Sequence, residues 1–450
     1  MNSSIDRRTF VRQAATAGAG LLLTSKLATL GRASTATSPP SANGRLRVAV
    51  AGTNARGLAH VQCFAGVPNV EIAYICDVDD RAIAKGLAEV AKVQATAAQG
   101  VRDFRRALED KTVDALAIAA PDHWHAPMAI LALAAGKHVF VEKPCSHNPR
   151  EGELLIEAAR KSGRVVQMGN QRRSFVAMQE AIAQIREGAI GRPYFGRGWY
   201  ANTRKPIGRG QPTAVPEWLD FELWQGPAPR RAFVDNLVHY NWHWHWHWGT
   251  GEALNNGTHE MDVCRWALGV DYPTKVSSSG GRFHFEDDWE TPDTQTIGWE
   301  FPNGVSMTWE GRSCNGYPIE GRQRGAMIHG TEGTALLDGE EYAFYDLKGN
   351  LVREVKSQRV VDPTNTMSST GLDAEVPHFR NFVEAIRDGA KLTAPIDDAN
   401  ASVTMLHLGN IAQRVGRTLR CDPANGRIQN DAEAMKLWGR EYAPGWAPKV

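Results

Sequence analysis

The chain lacks features that mark several protein classes. Beyond its N-terminus, no apolar run approaches the roughly 20 residues of a membrane-spanning helix, so we expect no stable membrane insertion. The 51 Lys+Arg balance 50 Asp+Glu, which leaves no electrostatic basis for binding nucleic acid or an anionic membrane surface. The six cysteines are scattered without CxxC pairs, which argues against a disulfide framework and a cysteine-built metal site.

The chain is long, and its N-terminus differs from the rest. Its 450 residues exceed one ordinary hydrophobic core, so we expect two domains, 43–168 and 169–450, after an N-terminal segment 1–42. In that segment Arg7 and Arg8 precede a short apolar stretch and a polar tail, a pattern that resembles the twin-arginine export signal. We therefore expect a folded protein exported to the periplasm or beyond.

A strand–turn–helix segment near residue 50 has the form of a dinucleotide-binding fingerprint. A β-branched run enters the turn Gly52-Thr53-Asn54-Ala55-Arg56-Gly57, and a helix is expected at 58–64. Gly52 permits the tight turn, and Gly57 lets the helix pack closely on the strand. The helix N-terminus offers N–H groups to a pyrophosphate, although Asn54 replaces the motif's middle glycine.

An acidic residue ends the next apolar strand. Asp77 follows the run 70–76 and lies about 20 residues after the glycine turn, the spacing of the fingerprint. A carboxylate there hydrogen-bonds the adenosine ribose hydroxyls and repels a 2′-phosphate, which favours NAD over NADP. Arg81 lies nearby and could accommodate a phosphate, so NADP is the less favoured alternative.

Two later strand ends also carry polar residues. Pro121-Asp122-His123-Trp124-His125 follows the apolar run 113–120, and Glu142-Lys143-Pro144 follows a strand at 138–141. Ligands of doubly wound sheets bind outside the carboxyl ends of the strands. These segments, the glycine turn and Asp77 therefore predict one cofactor site at one edge of a parallel sheet.

Four longer motifs are spread along the chain: AAPDHWH at 119–125, GKHVFVEKP at 136–144, MGNQRRS at 168–174 and NNGTHEMD at 255–262. Together they resemble the glucose-fructose oxidoreductase / inositol dehydrogenase / rhizopine-catabolism (Gfo/Idh/MocA) family. The resemblance implies an α/β fold with an N-terminal Rossmann dinucleotide-binding domain and a C-terminal α/β domain with a large, mostly antiparallel open sheet. The predicted cofactor contacts are Gly52, Thr53, Asn54, Gly57, Asp77, Pro121, Asp122, His125, Glu142, Lys143 and Gln171.

The resemblance also implies the catalytic candidates. It places Lys143 beside the nicotinamide and the hydroxyl being oxidised, with His259 as a second acid/base residue. An alcohol must lose its proton during oxidation, and a lysine withdrawn from water has a lowered pKa that suits it to accept one. Family members carry Asp four residues before this histidine, whereas this chain has Asn255, whose amide cannot accept a proton. Either His259 acts without that carboxylate, or the reaction is more than a simple dehydrogenation.

An alternating histidine–tryptophan run, His239 to Trp248, is present in the second domain. If extended, the run places four tryptophans on one face and histidines on the other. A zinc site would need a further ligand and a concave setting, so we predict no metal. Sugar stacking and plain core packing of the tryptophans are both open. The predicted substrate contacts are Arg172, Tyr200, His239, Tyr240 and His259.

The rest of the second domain alternates in strand fashion. Expected strands are 190–199, 276–285, 294–301, 305–310, 324–329, 334–338 and 342–345. Helices at 377–387 and 401–417 should cover one face. The resemblance implies that the open face mediates contacts in a homo-oligomer, a dimer or tetramer.

The leading function is an NAD-dependent oxidoreductase that acts on a hydroxyl of a sugar, polyol or glycoside, a small-molecule carbohydrate substrate. The alternative is an NAD-dependent glycoside hydrolase that oxidises its substrate transiently, eliminates the leaving group and retains its cofactor tightly. Export favours a trapped cofactor, because free NAD is scarce outside the cytoplasm. A third hypothesis, a sugar-binding protein without catalysis, predicts binding without turnover and no loss on Lys143→Ala.

Overall fold

The first domain is built on a six-stranded parallel sheet. The structure is a computed structural model that describes residues 44–357 and 372–450, so the expected export segment lies outside the described residues. The strands are β1 (Leu46–Ala51), β2 (Val70–Cys76), β3 (Gln99–Val101), β4 (Ala115–Ile118), β5 (His138–Val141) and β6 (Val166–Met168), in the order β3-β2-β1-β4-β5-β6. This order and direction confirm the predicted Rossmann-type sheet.

Helices cover both faces of this sheet. They are α1 (Arg56–Ala65), α2 (Asp80–Val93), α3 (Arg105–Glu109), α4 (Asp122–Ala134) and α5 (Pro149–Ser162). Successive residues of β1 enter two separate cores, since Val48 and Val50 pack in one and Ala49 and Ala51 in the other. Such strands are apolar at nearly every position, as the sequence of β1 is.

The second sheet has nine strands and confirms the predicted mostly antiparallel architecture. They are β7 (Pro193–Ala201), β8 (Lys275–Gly281), β9 (Thr294–Glu300), β10 (Ser306–Arg312), β11 (Arg324–Gly330), β12 (Gly333–Asp338), β13 (Glu341–Asp346), β14 (Leu351–Val355) and β15 (Leu419–Arg420). The order is β14-β13-β12-β11-β7-β10-β9-β8-β15, and only β7 and β10 among these neighbours run parallel. The strands β14 and β15 were not predicted.

The remaining helices are α6 (Val176–Arg186), α7 (Phe221–Gln225), α8 (Gly251–Asn255), α9 (Gly257–Leu268), α10 (Leu372–Asp388), α11 (Ile396–Val415) and α12 (Ala432–Met435). The second sheet buries one face: in β9, Ile297 and Trp299 are buried whereas Thr296 and Glu300 point outward. Trp299 donates its indole N–H to the Met405 carbonyl of α11 at 2.9 Å. Among the described residues, no helix combines the length and apolarity needed to cross a membrane.

Helix α10 returns from the second sheet to the first domain. Its Phe379 stacks on Phe140 of β5 with ring centroids 4.4 Å apart, and it packs edge-on against Phe64 of α1. Glu375 of the same helix pairs with Arg56 at 2.6 Å. One core of the Rossmann sheet is therefore completed by residues more than two hundred positions beyond β6.

The histidine–tryptophan run is not extended, so the expected alternation of faces is wrong. The N–H groups of His243, His245 and Trp248 each bond to the carbonyl three residues earlier, which curls the chain into consecutive turns. Trp244 stacks on Trp289 at 3.9 Å between centroids. The three histidines have separate partners: the Tyr240 carbonyl for His243, Glu290 for His245 and the Pro229 carbonyl for His247.

Candidate functional site

A cavity of about 450 Å³ lies at the carboxyl ends of the parallel strands. The second domain supplies part of its wall, at positions 204, 223, 224, 239, 240, 242, 243, 255, 256 and 259. The predicted residues that line it are Gly52, Asn54, Asp77, Pro121, Asp122, His125, Glu142, Lys143, Gln171, His239, Tyr240, Asn255 and His259. The fold thus brings together the glycine turn, the strand ends and the second-domain motif.

The glycine turn after β1 leaves backbone donors open to the cavity. Gly52 has a φ of +88°, and a Cβ there would lie 2.5 Å from the Ala119 carbonyl oxygen. A Cβ on Gly57 would collide with the Gly52 carbonyl, so Gly57 serves close packing of α1 and does not line the cavity. Within the described residues, no partner is found for the backbone N–H groups of Asn54 and Ala55.

Asp77 is held at the end of β2 by backbone donors. Its two carboxylate oxygens accept the N–H groups of Thr53, at 2.6 Å, and of Asp79, at 3.1 Å. Burial raises the pKa of Asp77, and these two hydrogen bonds act in the opposite direction. Thr53 does not line the cavity, because its hydroxyl bonds to the Ala82 carbonyl at 2.9 Å.

A second-domain segment closes on the first domain beside Asp77. The Asp80 N–H donates to the Trp218 carbonyl at 3.0 Å, and the Asp220 N–H donates to the Val78 carbonyl at 2.9 Å. These two bonds join residues 218–220 to the end of β2, like a short antiparallel strand pair.

Side chains hold the same contact. His239 Nε2 lies 2.6 Å from the buried Asp79 carboxylate, which also accepts the Arg81 guanidinium at 2.9 Å. Burial acts to raise the pKa of Asp79, but Arg81 and His239 hold it below its ordinary value. The Arg81 guanidinium lies 3.3 Å from the centroid of the Trp218 ring. Arg81 is therefore engaged by Asp79 and Trp218.

Glu142 borders the cavity with its carboxylate engaged in a buried ionic cluster. Its Oε1 accepts Arg56 Nε at 2.7 Å and lies 3.0 Å from His60 Nε2. Burial acts to raise the pKa of Glu142, but Arg56 and His60 outweigh it and hold the pKa well below its ordinary value. The other carboxylate oxygen accepts the backbone N–H of Lys143 at 3.2 Å, which fixes the chain at the catalytic candidate.

Asp122 and His125, at the start of α4, shape the cavity wall through internal bonds. The Thr250 hydroxyl donates to Asp122 at 2.6 Å, and burial raises the pKa of that carboxyl. The two ring nitrogens of His125 lie 2.6 and 2.7 Å from the carbonyl oxygens of Pro144 and Ala120. Both side chains are therefore fixed against neighbouring segments.

Lys143 reaches across the cavity wall to the second domain. Its Nζ donates to the main-chain oxygen of Asn255 at 2.6 Å and to the Asn255 amide oxygen at 3.2 Å. Burial lowers the pKa of Lys143, and the carboxylates of Glu142 and Asp122 oppose that shift. The amine is thus oriented by two neutral oxygens of one residue.

His259, on α9, is buried in the wall of the same cavity. Burial, then Arg324 and Lys143, place the pKa of His259 well below its ordinary value, so the ring is neutral. No hydrogen-bond partner for the ring is found in the described part of the chain. Asp262 does not orient it, because that carboxylate accepts Arg173 at 2.7 Å and the Ser402 hydroxyl at 2.7 Å.

A polar network surrounds Asn255, and its central residue, Glu252, was not predicted from the sequence. Glu252 accepts Arg204 Nε at 2.6 Å and the Asn255 side-chain N–H at 3.3 Å. Arg204 in turn donates to the Tyr240 hydroxyl at 2.8 Å and lies over the Trp244 ring. The only local signal for Glu252 is a charged residue in an otherwise apolar and glycine-rich stretch, GTGEAL.

Two predicted substrate contacts do not line the cavity. Arg172 is buried and pairs with Glu260 at 3.2 Å, and Tyr200 is buried beside the Arg324 guanidinium. The Tyr200 hydroxyl contacts Arg204, which does line the cavity, at 3.4 Å. Residues that line the cavity without having been predicted are Arg102, Phe104, Met128, Leu223, Trp224, Trp242, His243 and Asn256.

A parallel sheet with a glycine turn at the open end of β1, completed by a second α/β domain over the cavity, defines a two-domain dinucleotide-binding protein. Family models agree with this class. The oxidoreductase family, NAD-binding Rossmann fold, matches residues 46–170; the GFO/IDH/MocA C-terminal domain matches 223–336; and the oxidoreductase family C-terminal alpha/beta domain matches 331–447. The chain belongs to the GFO/IDH/MocA family of oxidoreductases.

Individual relatives carry different activities. A glycosyl hydrolase family 109 protein of Saccharopolyspora erythraea is 30% identical over 52% of this chain and 56% of its own length, so the chain spans little more than half of that relative. The scyllo-inositol 2-dehydrogenase (NAD(+)) of Bacillus subtilis is 25% identical over 80% of this chain and 91% of its own. A levoglucosan dehydrogenase in complex with NADH and levoglucosan has a TM-score of 0.64 at 20% identity, covering 84% of this chain and 99% of that chain, a likeness of fold.

Proposed function

We propose that the protein is an NAD-dependent oxidoreductase that acts on a hydroxyl of a sugar, polyol or glycoside, with Lys143 and His259 as its acid/base residues. The observation that carries the proposal is that both side chains line the cavity into which the glycine turn opens. Dehydrogenase relatives named for inositol and levoglucosan support a polyhydroxylated substrate.

The residues present fit a dinucleotide. The unpartnered N–H groups of Asn54 and Ala55 stand at the N-terminus of α1, where a pyrophosphate would bind. The Oε1 atom of Gln171 is buried without a partner among the described residues and could accept from the cofactor. The close approach that Gly52 allows leaves no room for a side chain between the turn and β4.

The surroundings of Asp77 favour NAD over NADP. Each carboxylate oxygen has one backbone donor and keeps capacity to accept a ribose hydroxyl. A 2′-phosphate at the same place would meet a negative charge. Arg81, the residue that could accept that phosphate, is already paired with the buried carboxylate of Asp79 and stacked on Trp218, so its charge is partly compensated before any phosphate arrives.

Lys143 is suited to accept the hydroxyl proton. Two of the positions around Nζ are taken by the N–H groups that donate to Asn255. The remaining position carries a third N–H when the lysine is protonated and a lone pair when it is neutral. Proton transfer therefore needs no movement of the side chain. Because burial lowers the pKa of Lys143, the amine forms at lower pH than in a solvated lysine. The nicotinamide, when bound, accepts hydride from the substrate carbon.

The second-domain wall favours a neutral substrate. The Arg204 guanidinium is compensated by Glu252 at 2.6 Å, so it offers hydrogen bonds without a net positive charge. Neutral His259 and the rings of Tyr240 and Trp242 complete this wall, and aromatic faces pack well on sugar C–H surfaces. A sugar or polyol finds hydrogen-bonding groups here, whereas a sugar acid finds no uncompensated arginine.

An NAD-dependent glycoside hydrolase is the second candidate. The family 109 relative supports it, and so does Asn255, which stands where the family resemblance places Asp. Both candidates use the same cofactor site and the same two acid/base residues. They differ in whether NADH accumulates.

One experiment separates them. Folded protein is passed through gel filtration and denatured, and the released nicotinamide cofactor is measured against protein. About one equivalent of NAD, followed by NADH formation from polyols or aldoses, supports the oxidoreductase. Release of nitrophenol from glycosides without added NAD and without net NADH supports the hydrolase. Absence of bound cofactor together with no NAD-dependent turnover overturns both.

We also propose that residues 1–42 direct twin-arginine export and that the protein forms homo-oligomers. Arg7 and Arg8 support the first proposal, and a double Arg7→Lys/Arg8→Lys variant should stay in the cytoplasm while keeping its activity. The open face of the second sheet, with outward Thr296 and Glu300, is the surface proposed for self-association. Light scattering after gel filtration tests this, and a monomer mass would overturn it.

A further inference from the structure

A buried carboxylate lies one turn before the position where the family resemblance places one. That position is Asn255, whereas Glu252 stands three residues earlier in α8 and is only 3% exposed. Its carboxylate accepts Arg204 at 2.6 and 3.2 Å, the Asn255 amide nitrogen at 3.3 Å, and the Asn256 amide nitrogen. A negative charge is therefore present one turn away from position 255, paired with Arg204.

This contact fixes which end of the Asn255 amide faces Lys143. A carboxylate can only accept hydrogen bonds, so Glu252 requires the NH₂ end of Asn255. The oxygen end then points the other way, where it accepts Lys143 Nζ at 3.2 Å. If the Asn255 amide were reversed, its NH₂ group would face the N–H groups of Lys143. The lysine amine would then lose one of its two acceptors.

We propose that Glu252 is a positioning residue for Lys143, acting through the amide of Asn255. The inference rests on the proposed oxidoreductase function of this cavity. Glu252 does not contact Lys143, and it is paired with Arg204, so it orients the amine without adding a direct negative charge beside it. A carboxylate at position 255 would touch the lysine itself and would stabilise its protonated form.

The reciprocal exchange of the two side chains tests this arrangement. In Asn255→Asp, the carboxylate introduced at position 255 faces the carboxylate of Glu252. In Glu252→Gln, a single carbonyl oxygen must accept the donors of Arg204, Asn255 and Asn256, which two carboxylate oxygens accept in the wild type. In the double variant, the amide NH₂ introduced at position 252 can donate to the carboxylate introduced at position 255, which restores the contact between these two positions, while Arg204 and Asn256 keep only the remaining carbonyl oxygen. We expect each single variant to lose at least about 10-fold in kcat/KM and the double variant to regain part of that loss.

The pH profile tests the contact through which Glu252 would act, between the side chain at position 255 and Lys143. Because a carboxylate at position 255 raises the pKa of the adjacent lysine, the acid limb of the double variant should move to higher pH than in the wild type. Glu290→Gln, which removes a carboxylate bonded to His245 away from the cavity, should leave the limb unmoved. A double variant no faster than its worse single parent, or one with an unmoved limb, overturns the proposal.

Thermal unfolding of the four proteins separates this inference from the proposed function. The Glu252–Asn255 coupling should appear as a double-variant Tm above that of both single variants, whatever reaction the cavity performs. Wild-type protein without NAD-dependent turnover, combined with that Tm recovery, overturns only the proposed function. If the wild type turns over and the effects of the two single substitutions on Tm and on rate simply add in the double variant, only the positioning role is overturned.

Discussion

The Nζ atom of Lys143 lies 2.6 Å from the main-chain oxygen of Asn255, a residue 112 positions later in the chain. This hydrogen bond joins the end of β5 to α8 and so links the two domains at the cavity itself. A relative movement of β5 and α8 would strain this hydrogen bond. Under the proposed function, the position of the amine is therefore set at the contact between the two domains.

Replacing Lys143 by arginine should abolish most of the activity while keeping the charge. Arginine stays protonated at any working pH, so it cannot accept the hydroxyl proton. We expect kcat to fall by about 10² to 10⁴, the range for loss of an acid/base group. Initial rates should be measured together with NAD content, which should be unchanged. A variant that keeps wild-type kcat would remove Lys143 from the proton-transfer step.

Buried neutral histidines should make the fold sensitive to acid. Burial lowers the pKa of His378 and of His407 to about 4. Below the unfolded value of about 6.5, the unfolded chain binds protons that the folded chain excludes, so stability is complete above that pH and is lost as pH falls toward 4. Each histidine should lower the free energy of unfolding by about 1.4 kcal/mol per pH unit in this window.

The variant His407→Gln tests this assignment. Its amide can still donate to the Ser146 carbonyl, which His407 Nε2 approaches at 3.1 Å. Urea unfolding at several pH values between 7 and 5 should show a shallower decline for the variant than for the wild type. Identical declines would mean that His407 titrates alike in the folded and unfolded chains.

Removing the charge of Asp77 should weaken discrimination against NADP. Asp77→Asn keeps the shape of the side chain but no longer repels a 2′-phosphate. A like-charge contact costs several kcal/mol, so the NAD-to-NADP ratio of kcat/KM should fall by at least about 10-fold. Coenzyme titrations with both nucleotides measure this ratio. An unchanged ratio would place the 2′ position away from Asp77.

Trp218→Ala should accelerate cofactor release. Trp218 covers the Arg81 guanidinium, and its carbonyl accepts the Asp80 N–H at 3.0 Å. Loss of the ring removes a cation–π contact worth about 0.5 to 1 kcal/mol at a half-exposed guanidinium, so the release rate should rise about 2- to 5-fold. Stopped-flow measurement of NADH fluorescence gives that rate. Trp246→Ala is a matched control, since Trp246 makes the same kind of contact, with Arg414, outside the segment 218–220 that bonds to the end of β2.

Much of the nucleotide-binding half could be predicted from the sequence because its signals are local. A strand, a glycine turn and a helix follow one another within about twenty residues, and the backbone itself builds the site. Asp77 and Lys143 each end a buried strand, so the topology of a parallel sheet brings them to one edge. The second sheet was predictable from its alternation, although β8 ends at Gly281 rather than at 285.

The second-domain side of the site was less predictable because its contacts are non-local. Arg172 and Tyr200 carry polar groups suited to a sugar, yet Arg172 is paired with Glu260, Tyr200 is buried beside Arg324, and neither lines the cavity. Glu252 acquires its role from Arg204, which lies 48 positions away. The histidine–tryptophan run curls because of backbone hydrogen bonds that no periodicity indicates.

The return of α10 to the Rossmann sheet has a consequence for folding during synthesis. The pocket of Phe64 and Phe140 stays open on the ribosome until Phe379 and Phe382 have been synthesised. Arg56, at the start of α1, likewise lacks its ion-pair partner Glu375 until that residue has been synthesised. A nascent chain that stops after β6 therefore presents an incomplete nucleotide domain with exposed aromatic surface.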